Sequence, residues 1–306
     1  MGVGKFRHLA HLEKFRFASG FYLFPILSSL MSRFFKRFFI FGLFTLATWL
    51  TLFLVFSQSY ALEYKFVGQE TNWGYVNQRS TEWSERVNES NDVWFFGSST
   101  CYSGIDPHAL QAFGFNGFNF CSSSQAITNS EYILGAATHH HDPAIIALDV
   151  YPSIWGTNGP GIESTKDWII NSNLRNPKWA SAYRQLAMES GDIFTLITSF
   201  YYDFVRKFKA AGSNPHLAED KNGSYRGLGF VARSFPPLDT ISCETKERTM
   251  SERECQSILD MAELCSHYKA RFILINPPQL CEEVFEMPLC FEGLSYIDGN
   301  NWPGAK

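Results

Sequence analysis

The chain has 306 residues, of which 45% are hydrophobic and 18% are charged, and its formal net charge is −4 at pH 7. This length suits one large domain, or one domain with an anchor, because typical domains run to about 100 to 200 residues. The basic residues are spread along the chain and form no basic stripe. That distribution argues against a nucleic-acid-binding protein.

The first predicted element is an apolar segment at residues 38–56, which contains no charged side chain. About 20 apolar residues suffice to cross the hydrocarbon core of a bilayer. Lysines and arginines cluster before the segment, whereas Glu63 and Glu70 follow it. The pattern predicts a single-pass anchor with residues 1–37 in the cytoplasm and the rest of the chain outside.

Two alternatives to an anchor concern the same region. One is a buried core helix, although the run has no polar face. The other is a signal peptide cut near residues 59–61, although the apolar run is longer than the roughly 7 to 15 residues usual in signal peptides. Separately, Met31 is a plausible start, in which case residues 1–30 have no structural role.

A juxtamembrane connector is predicted at residues 57–91, which are polar and aromatic with little periodicity. The globular domain is then predicted to span residues 92–306. Apolar runs predict buried strands, and helical spacing predicts helices before two of them. The strands are expected at 93–96, 117–121, 144–150 and 271–275, and the helices at 130–139 and 252–268. Alternating strands and helices predict an α/β three-layer sandwich, a parallel sheet with helices on both faces.

Residues 151–240 break this pattern with aromatic-rich helical segments, among them 168–174 and 193–208. We interpret this range as a helical insertion packed beside the sheet. A substrate or partner surface could form there.

Seven cysteines are compatible with an oxidising compartment, but their spacing matches no zinc ribbon. Cys281 and Cys290 are close enough in sequence to pair across a loop, and buried free thiols are the alternative. Three consecutive histidines at 139–141 would point in different directions from a helix, so we expect no metal site there.

The strand-like run at 93–96 stops at Gly97, which is followed by Ser98 and Ser99. Glycine permits the sharp exit from a strand into a helix, and α/β sheets bind their ligands at the carboxyl ends of strands. Ser99 is therefore the first candidate nucleophile. A purely structural turn is the alternative, because Gly-Ser-Ser is common in turns.

The order of the short motifs resembles the SGNH (GDSL-like) hydrolase superfamily. The motifs are Phe-Phe-Gly-Ser-Ser-Thr at 95–100, Gly-Ile-Asp-Pro at 104–107, Phe-Asn-Phe-Cys-Ser-Ser-Ser-Gln at 118–125, and His-Asp-Pro at 141–143 before an apolar strand. The chain is more closely similar to the membrane-anchored bacterial branch, which includes the D-alanyl transfer protein of teichoic acid modification and the alginate O-acetylation proteins. The resemblance implies the SGNH, flavodoxin-like arrangement of the sheet.

The resemblance also assigns roles to individual residues. It implies that Ser99 attacks an acyl carbonyl and that its own backbone N–H helps to bind the developing oxyanion. Ser124 matches a glycine that gives a second N–H, with Ser123 as the alternative register, and Asn119 is placed in the same oxyanion and substrate set. Asp149 stands where the family has an asparagine donor, and an ionised aspartate cannot donate.

The family's last motif is Asp-x-x-His, in which the histidine takes the serine proton. Here Asp298 matches the aspartate, but Asn301 stands in place of the histidine and cannot act as a base. His108 lies near Ser99 in sequence, yet Asp106 is too local to serve as its orienting carboxylate. Two interpretations stay open: a degenerate member that lost its base, or a chain that ends before its true Asp-x-x-His motif.

The resemblance implies a membrane-anchored, extracytoplasmic esterase or O-acyltransferase of the bacterial cytoplasmic membrane. Its partner would be a cell-envelope polysaccharide or an acylated polymer. The alternative is a catalytically degenerate accessory or binding protein that partners a multispanning membrane acyltransferase. We expect no cofactor and no metal in either case.

Overall fold

The computed structural model describes residues 31–52, 75–86, 92–139, 141–172, 174, 176, 181, 184–185, 188, 223–234, 247–279 and 284–301. The chain divides into two compact units, Met1–Leu62 and Glu63–Lys306. The first unit contains helix α1, Met31–Leu52, which is long and apolar enough to cross a membrane. It overlaps the predicted segment 38–56, whose last four residues lie outside the described part of the chain.

The second unit alternates strands and helices. In chain order its elements are α2 (Val76–Glu85), β1 (Asp92–Phe96), α3 (Ser99–Gly104), β2 (Asn116–Asn119), α4 (Ile127–Ala137), β3 (Ile145–Asp149), α5 (Ile162–Asn171), β4 (Gly223–Gly227), β5 (Phe230–Arg233), β6 (Glu247–Arg248), α6 (Glu252–His267), β7 (Arg271–Asn276), β8 (Val284–Phe285) and β9 (Ser295–Asp298). Short 3₁₀ turns lie at Pro107–Phe113, Pro152–Ile154, Leu289–Phe291 and Gly299–Asn301.

A five-stranded parallel sheet in the order β2-β1-β3-β7-β9 forms the centre of this unit. The predicted α/β class with a parallel sheet is therefore confirmed, and so are the four predicted strands, to within two residues at their ends. The strand order reverses between β1 and β3, because β2 lies on one side of β1, whereas β3, β7 and β9 lie on the other. In α/β sheets, ligands commonly bind at the carboxyl ends of the strands where such a reversal occurs.

The residues of β1 are all buried, because both faces of the sheet are covered at this strand. Trp94 and Phe96 belong to one hydrophobic cluster, whereas Val93 and Phe95 belong to a second. Alternate residues of a strand point to opposite faces, so the two clusters are the two sides of the sheet. This explains why the strand sequences are nearly continuous apolar runs.

Helices α4 and α6 cover the first face of the sheet. Residues Ile258, Met261 and Cys265 of α6 recur at helical spacing and are buried in this cluster. The helix begins after Ser251, whose hydroxyl accepts from the Glu254 N–H at 3.2 Å while the Glu254 carboxylate accepts from the Ser251 N–H at 2.8 Å. This reciprocal capping satisfies two N–H groups at the start of the helix.

The second face is covered, among the described residues, by α3 and by the antiparallel hairpin β4–β5. Tyr102 of α3 and Val231 of β5 are fully buried in the same cluster. The hairpin lies within the predicted insertion 151–240, as does α5, whose Trp168 is buried in the core of the first face. Both elements thus contribute to the packing of the main sheet.

Helix α2 lies within the range 57–91 that the sequence predicts as a connector, yet it packs into the core. Trp83 is fully buried, and its ring centroid lies 4.8 Å from that of Trp94 and 4.6 Å from that of Phe120. Arg86, just after the helix, pairs with Asp92 at 2.7 Å. These contacts attach α2 to the start of β1 and to the β2 edge of the sheet.

Two disulfides lie in the described part of the chain, Cys101–Cys121 and Cys255–Cys290. The predicted pairing of Cys281 with Cys290 is wrong, because the turn that carries Cys290 lies against α6 and meets Cys255 there. Cys265 is a buried free thiol. Disulfides persist in oxidising compartments and are rare in the bacterial cytosol.

Candidate functional site

The candidate site lies at the carboxyl ends of β1 and β3, where the strand order reverses. Gly97 leaves the strand with a φ of 152°, and a Cβ at this position would lie 2.4 Å from the Asp149 Cβ. Both the backbone conformation and the close approach require glycine. The absence of a side chain thus lets the β1 exit lie directly against the end of β3.

Asp149 is buried at the end of β3 and binds the turn that follows β1. Its carboxylate accepts hydrogen bonds from the Thr100 hydroxyl at 2.6 Å, the Tyr151 N–H at 2.9 Å and the Ser98 N–H. Burial raises the pKa of this carboxyl to about 6, and the hydrogen bonds oppose that rise. At neutral pH the carboxylate is mostly ionised and serves as an acceptor.

The two hydroxyls beside Ser99 are both engaged. The Thr100 hydroxyl donates its single hydrogen bond to Asp149. In the 2.9 Å contact between the Ser98 and Thr100 hydroxyls, Ser98 must therefore be the donor. Ser98 is 3% exposed and is therefore shielded from a substrate. Both side chains hold the turn in place.

Ser99 differs from its neighbours. It is the first residue of α3, is half-buried, and its hydroxyl makes no hydrogen bond within the described part of the chain. The first N–H groups of a helix have no acceptor inside the helix. Ser99 therefore offers an unbonded hydroxyl on a turn that Ser98, Thr100 and Asp149 fix.

Asn119 ends β2 and is fully buried behind the same turn. Its amide nitrogen donates to the carbonyls of Cys101 at 3.1 Å and Ile105 at 3.3 Å, and its amide oxygen accepts from the Cys121 N–H at 2.9 Å. The Cys101–Cys121 disulfide joins the same two segments. These contacts hold α3 against the end of β2 and occupy both ends of the Asn119 amide.

Ser124 lies five residues beyond β2, with a φ of 49°. This φ lies in the left-handed region, which glycine adopts without strain. Ser124 therefore has the backbone conformation expected of the glycine that the motif carries at this position. The Ser124 side chain is exposed and donates to Glu163 of α5 at 2.8 Å.

Asp298 ends β9, which is separated from β1 by β3 and β7. Neighbouring strands lie about 4.8 Å apart, which places the two strand ends about 14 Å from each other. Its carboxylate accepts from the Asn301 side chain at 2.8 Å, the Asn300 N–H at 3.1 Å and the Asn276 side chain at 3.3 Å. Asp298 thus caps the turn that follows it.

Four of the eight histidines are described: His108, His139, His141 and His267. None of these four is hydrogen-bonded to Ser99. Asp106 does hold His108, at 2.7 Å from its Nδ1, although we expected this carboxylate to be too local for an orienting role. His141 packs edge-on against Trp83, with 4.7 Å between ring centroids, and His267 lies in the last turn of α6.

The structure thus brings Ser99 and Asp149 to adjacent strand ends. Asn119 is the last residue of β2 and Ser124 follows it, whereas Asp298 lies across the sheet. Sequence reasoning missed Thr100, which carries the hydrogen bond between the β1 turn and Asp149. The signal was a hydroxyl residue next to the candidate nucleophile, combined with an aspartate that ends the neighbouring buried strand.

Comparisons with known proteins give no match: no family model, curated protein or solved structure is similar to this chain.

The raised pKa of Asp149 predicts a pH dependence of stability. The unfolded carboxyl titrates near 3.8 and the folded one at about 6, so protonation favours the folded state and its contribution is lost as pH rises from about 4 to 6. We expect the free energy of unfolding to increase by about 1 kcal/mol from this group between pH 7 and pH 5. Urea titrations at pH 7 and pH 5 should show this increase for the wild type and not for Asp149→Asn. Parallel pH profiles of the two proteins would contradict the prediction.

Proposed function

We propose that this chain is a membrane-anchored, extracytoplasmic SGNH-like esterase or O-acyltransferase that acts on a cell-envelope glycan or polymer through Ser99. The observation that carries this proposal is the position of the Ser99 hydroxyl. Ser99 makes no side-chain hydrogen bond to the residues that the structure describes, it begins α3, and it lies where the strand order reverses. The adjacent serine and threonine hydroxyls are engaged in hydrogen bonds to the turn.

The proposed reaction has two steps. Ser99 Oγ attacks the carbonyl carbon of an acyl ester, its proton passes to a base, and the alcohol leaves with a proton as the acyl-serine ester forms. A second hydroxyl, from water or from the polymer, then attacks the acyl-serine and restores Ser99. The Ser99 N–H lies in the first turn of α3 and would donate to the oxyanion of each intermediate.

Two features support the proposed compartment. Helix α1 has the length and composition of a membrane span, and basic residues precede the apolar segment, which favours an amino end in the cytoplasm. The disulfides Cys101–Cys121 and Cys255–Cys290 would be stable outside the cytoplasm. A domain that follows the anchor on the outer side of the membrane would agree both with the orientation of the anchor and with the presence of disulfides.

The second candidate is an accessory protein that keeps the fold and binds a polymer or a multispanning membrane acyltransferase without turnover. The observation that favours it is the state of Asp298. Its carboxylate is engaged by Asn276, Asn300 and Asn301, and Asn301 stands where the motif has its histidine. In this form the motif supplies a capped turn and no proton acceptor.

A serine-directed fluorophosphonate probe tests the enzymatic proposal. The full-length protein should be labelled, and the label should disappear in Ser99→Ala because the probe reacts only with an activated hydroxyl. Ser266→Ala is the matched control, since Ser266 is an exposed serine on α6 whose hydroxyl donates to the Ala262 carbonyl at 3.0 Å. Equal labelling of the wild type and Ser99→Ala, or no labelling of folded wild type, would contradict catalysis at Ser99.

The accessory candidate makes a different prediction for the same variant. Co-purification with a multispanning membrane protein should then be unchanged in Ser99→Ala. If Ser99→Ala failed to restore function in cells that lack this protein, although it was folded and present at normal levels, a purely accessory role without catalysis would be excluded.

A further inference from the structure

The turn that follows β2 is bound directly to the exit of β1. The Ser122 N–H donates to the Gly97 carbonyl at 3.2 Å. Ser124 lies two residues further along this turn, is exposed, and its N–H makes no hydrogen bond to the residues that the structure describes. An unpaired N–H therefore lies on a turn that is joined to the one that carries Ser99.

The Ser124 backbone adopts a conformation that is unfavourable for a residue with a side chain. Its φ of 49° lies in the left-handed region, where Cβ comes too close to the following carbonyl oxygen. Such a conformation persists only where the surrounding structure determines it. Contacts from outside the turn must therefore hold Ser124 in place.

Glu163, in the first turn of α5, supplies one such contact. The Ser124 hydroxyl donates to Glu163 Oε2 at 2.8 Å. Glu163 is half-buried and accepts no other hydrogen bond within the described part of the chain. A carboxylate is a stronger acceptor than a neutral oxygen. This contact is therefore well suited to oppose the strain at Ser124.

The residues around the start of α5 contact the same part of the chain. Gly161 directly precedes α5, and a Cβ at this position would lie 2.6 Å from the Ser124 carbonyl oxygen. The Gly161 N–H donates to Asn129 Oδ1 at 2.7 Å, and the Asn129 amide nitrogen donates to the Thr165 hydroxyl at 2.8 Å. The start of α5 is thus fixed to the residues that follow β2.

Buried polar contacts also join α5 to the turn. The Trp168 indole N–H donates to the Ser122 hydroxyl at 3.0 Å, and the Ser164 hydroxyl lies 2.9 Å from the Ser122 hydroxyl. The Ser122 hydroxyl itself donates to the Gln125 side chain at 2.7 Å. All four residues are fully buried. Glu163 therefore belongs to a helix whose position relative to the turn is fixed.

We propose that Glu163 is a positioning residue of the Ser99 site, which holds Ser124 in the left-handed conformation and thereby directs the Ser124 N–H towards the oxyanion. The N–H groups of Ser99 and Ser124 then donate to the same oxygen atom from two joined turns. Helix α5 lies in the predicted insertion 151–240, which in this way becomes part of the site. The role of the Ser124 N–H at an oxyanion rests on the proposed function. The hold of Glu163 on the Ser124 backbone does not.

The rate at which a fluorophosphonate labels Ser99 in the full-length protein tests this role. Glu163→Ala should lower the maximal labelling rate by about tenfold, because a displaced donor no longer stabilises the charge that develops on the phosphoryl oxygen. The probe concentration that gives half of this rate should not change, since the lost interaction belongs to the transition state. Glu163→Gln should restore most of the rate, because its amide oxygen accepts from the Ser124 hydroxyl.

A Ser124→Gly background separates positioning from a general loss of structure. Glycine adopts the left-handed conformation without strain and has no hydroxyl for Glu163 to bind. In this background Glu163→Ala should therefore cause no further loss of labelling. Glu252→Ala is the matched control, since Glu252 is an exposed glutamate in the first turn of α6 and has the same favourable interaction with a helix start. Its labelling rate should equal that of the wild type.

Hydrogen exchange distinguishes a failure of this proposal from a failure of the proposed function, because it requires no reaction at Ser99. Peptides that cover residues 122–126 should take up deuterium several times faster in Glu163→Ala than in the wild type. In the Ser124→Gly background, Glu163→Ala should not accelerate the uptake.

Faster exchange in a protein whose Ser99 is never labelled would reject the proposed function and leave the positioning of Ser124 by Glu163 intact. The proposal is overturned if Glu163→Ala exchanges deuterium like the wild type. It is also overturned if Glu163→Ala slows the labelling of Ser99 equally with serine and with glycine at position 124.

Discussion

Replacing Gly97 by alanine is expected to lower the free energy of unfolding by about 3 kcal/mol. The new Cβ would lie 2.4 Å from the Asp149 Cβ, and the φ of 152° is one that a residue with a side chain rarely adopts. Relief of the clash would move the β1 turn away from β3 and break the contacts of Asp149 with Ser98 and Thr100. The midpoint of urea unfolding measures the loss.

Gly104→Ala is the control for this experiment. Gly104 lies at the end of α3, its φ is not in the left-handed region, and a Cβ there would meet nothing within 4 Å. Its substitution should change the free energy of unfolding by no more than about 0.5 kcal/mol. If Gly97→Ala and Gly104→Ala unfolded at the same urea concentration, the described packing of the β1 exit against Asp149 would be incorrect.

Trp83→Ala should destabilise the domain by about 3 to 5 kcal/mol, because it removes a large buried side chain and leaves a cavity. Trp83 is fully buried and contacts the rings of Trp94, Phe118 and Phe120. Thermal unfolding followed by circular dichroism would record the loss as a lower Tm. The effect would establish that α2 belongs to the folded domain.

Phe113→Ala provides the comparison for Trp83→Ala. Phe113 is also a large aromatic residue, but 77% of its surface is exposed. Its removal should leave the Tm within the error of the wild type, since little buried apolar surface is lost. A Trp83→Ala protein with a wild-type Tm would place α2 outside the core.

Strands buried on both faces were predictable because their apolar residues run together without interruption. The predicted run 271–275 compares with the observed strand Arg271–Asn276, and 144–150 compares with Ile145–Asp149. Strand β9, with the sequence Ser-Tyr-Ile-Asp, was not predicted, because it is short and its residues are either exposed or only partly buried. A strand at the edge of a sheet carries little hydrophobic signal of its own.

Helix α2 was not predicted for a related reason. Its sequence, Val-Asn-Gln-Arg-Ser-Thr-Glu-Trp-Ser-Glu, is mostly polar and contains few apolar residues at helical spacing. The helix is held by tertiary contacts, chiefly those of Trp83 and Arg79, and such contacts outweigh weak local preferences. A single tryptophan in a polar stretch was the available sign of its burial.

The candidate site was predictable in position but not in detail. Gly97 marked the strand exit, and Ser99 could be singled out from it. The sequence alone did not indicate that Thr100 and Asp149 bond to each other, because 49 residues separate them. It also gave no sign that Asn119 would be fully occupied by Cys101, Ile105 and Cys121, since those contacts depend on how α3 packs against β2.

The attachment of the β4–β5 hairpin to α2 has a consequence for the order of folding. Arg79 bonds to Gly229 across 150 residues, and the Asn119 N–H at the end of β2 bonds to the Leu228 carbonyl. Contacts between such distant residues form late, because a long loop must close first. During synthesis or export, the Asn119 N–H therefore lacks this acceptor until residue 228 has emerged, whereas α2, which precedes β2 in the chain, can already contact the β2 edge.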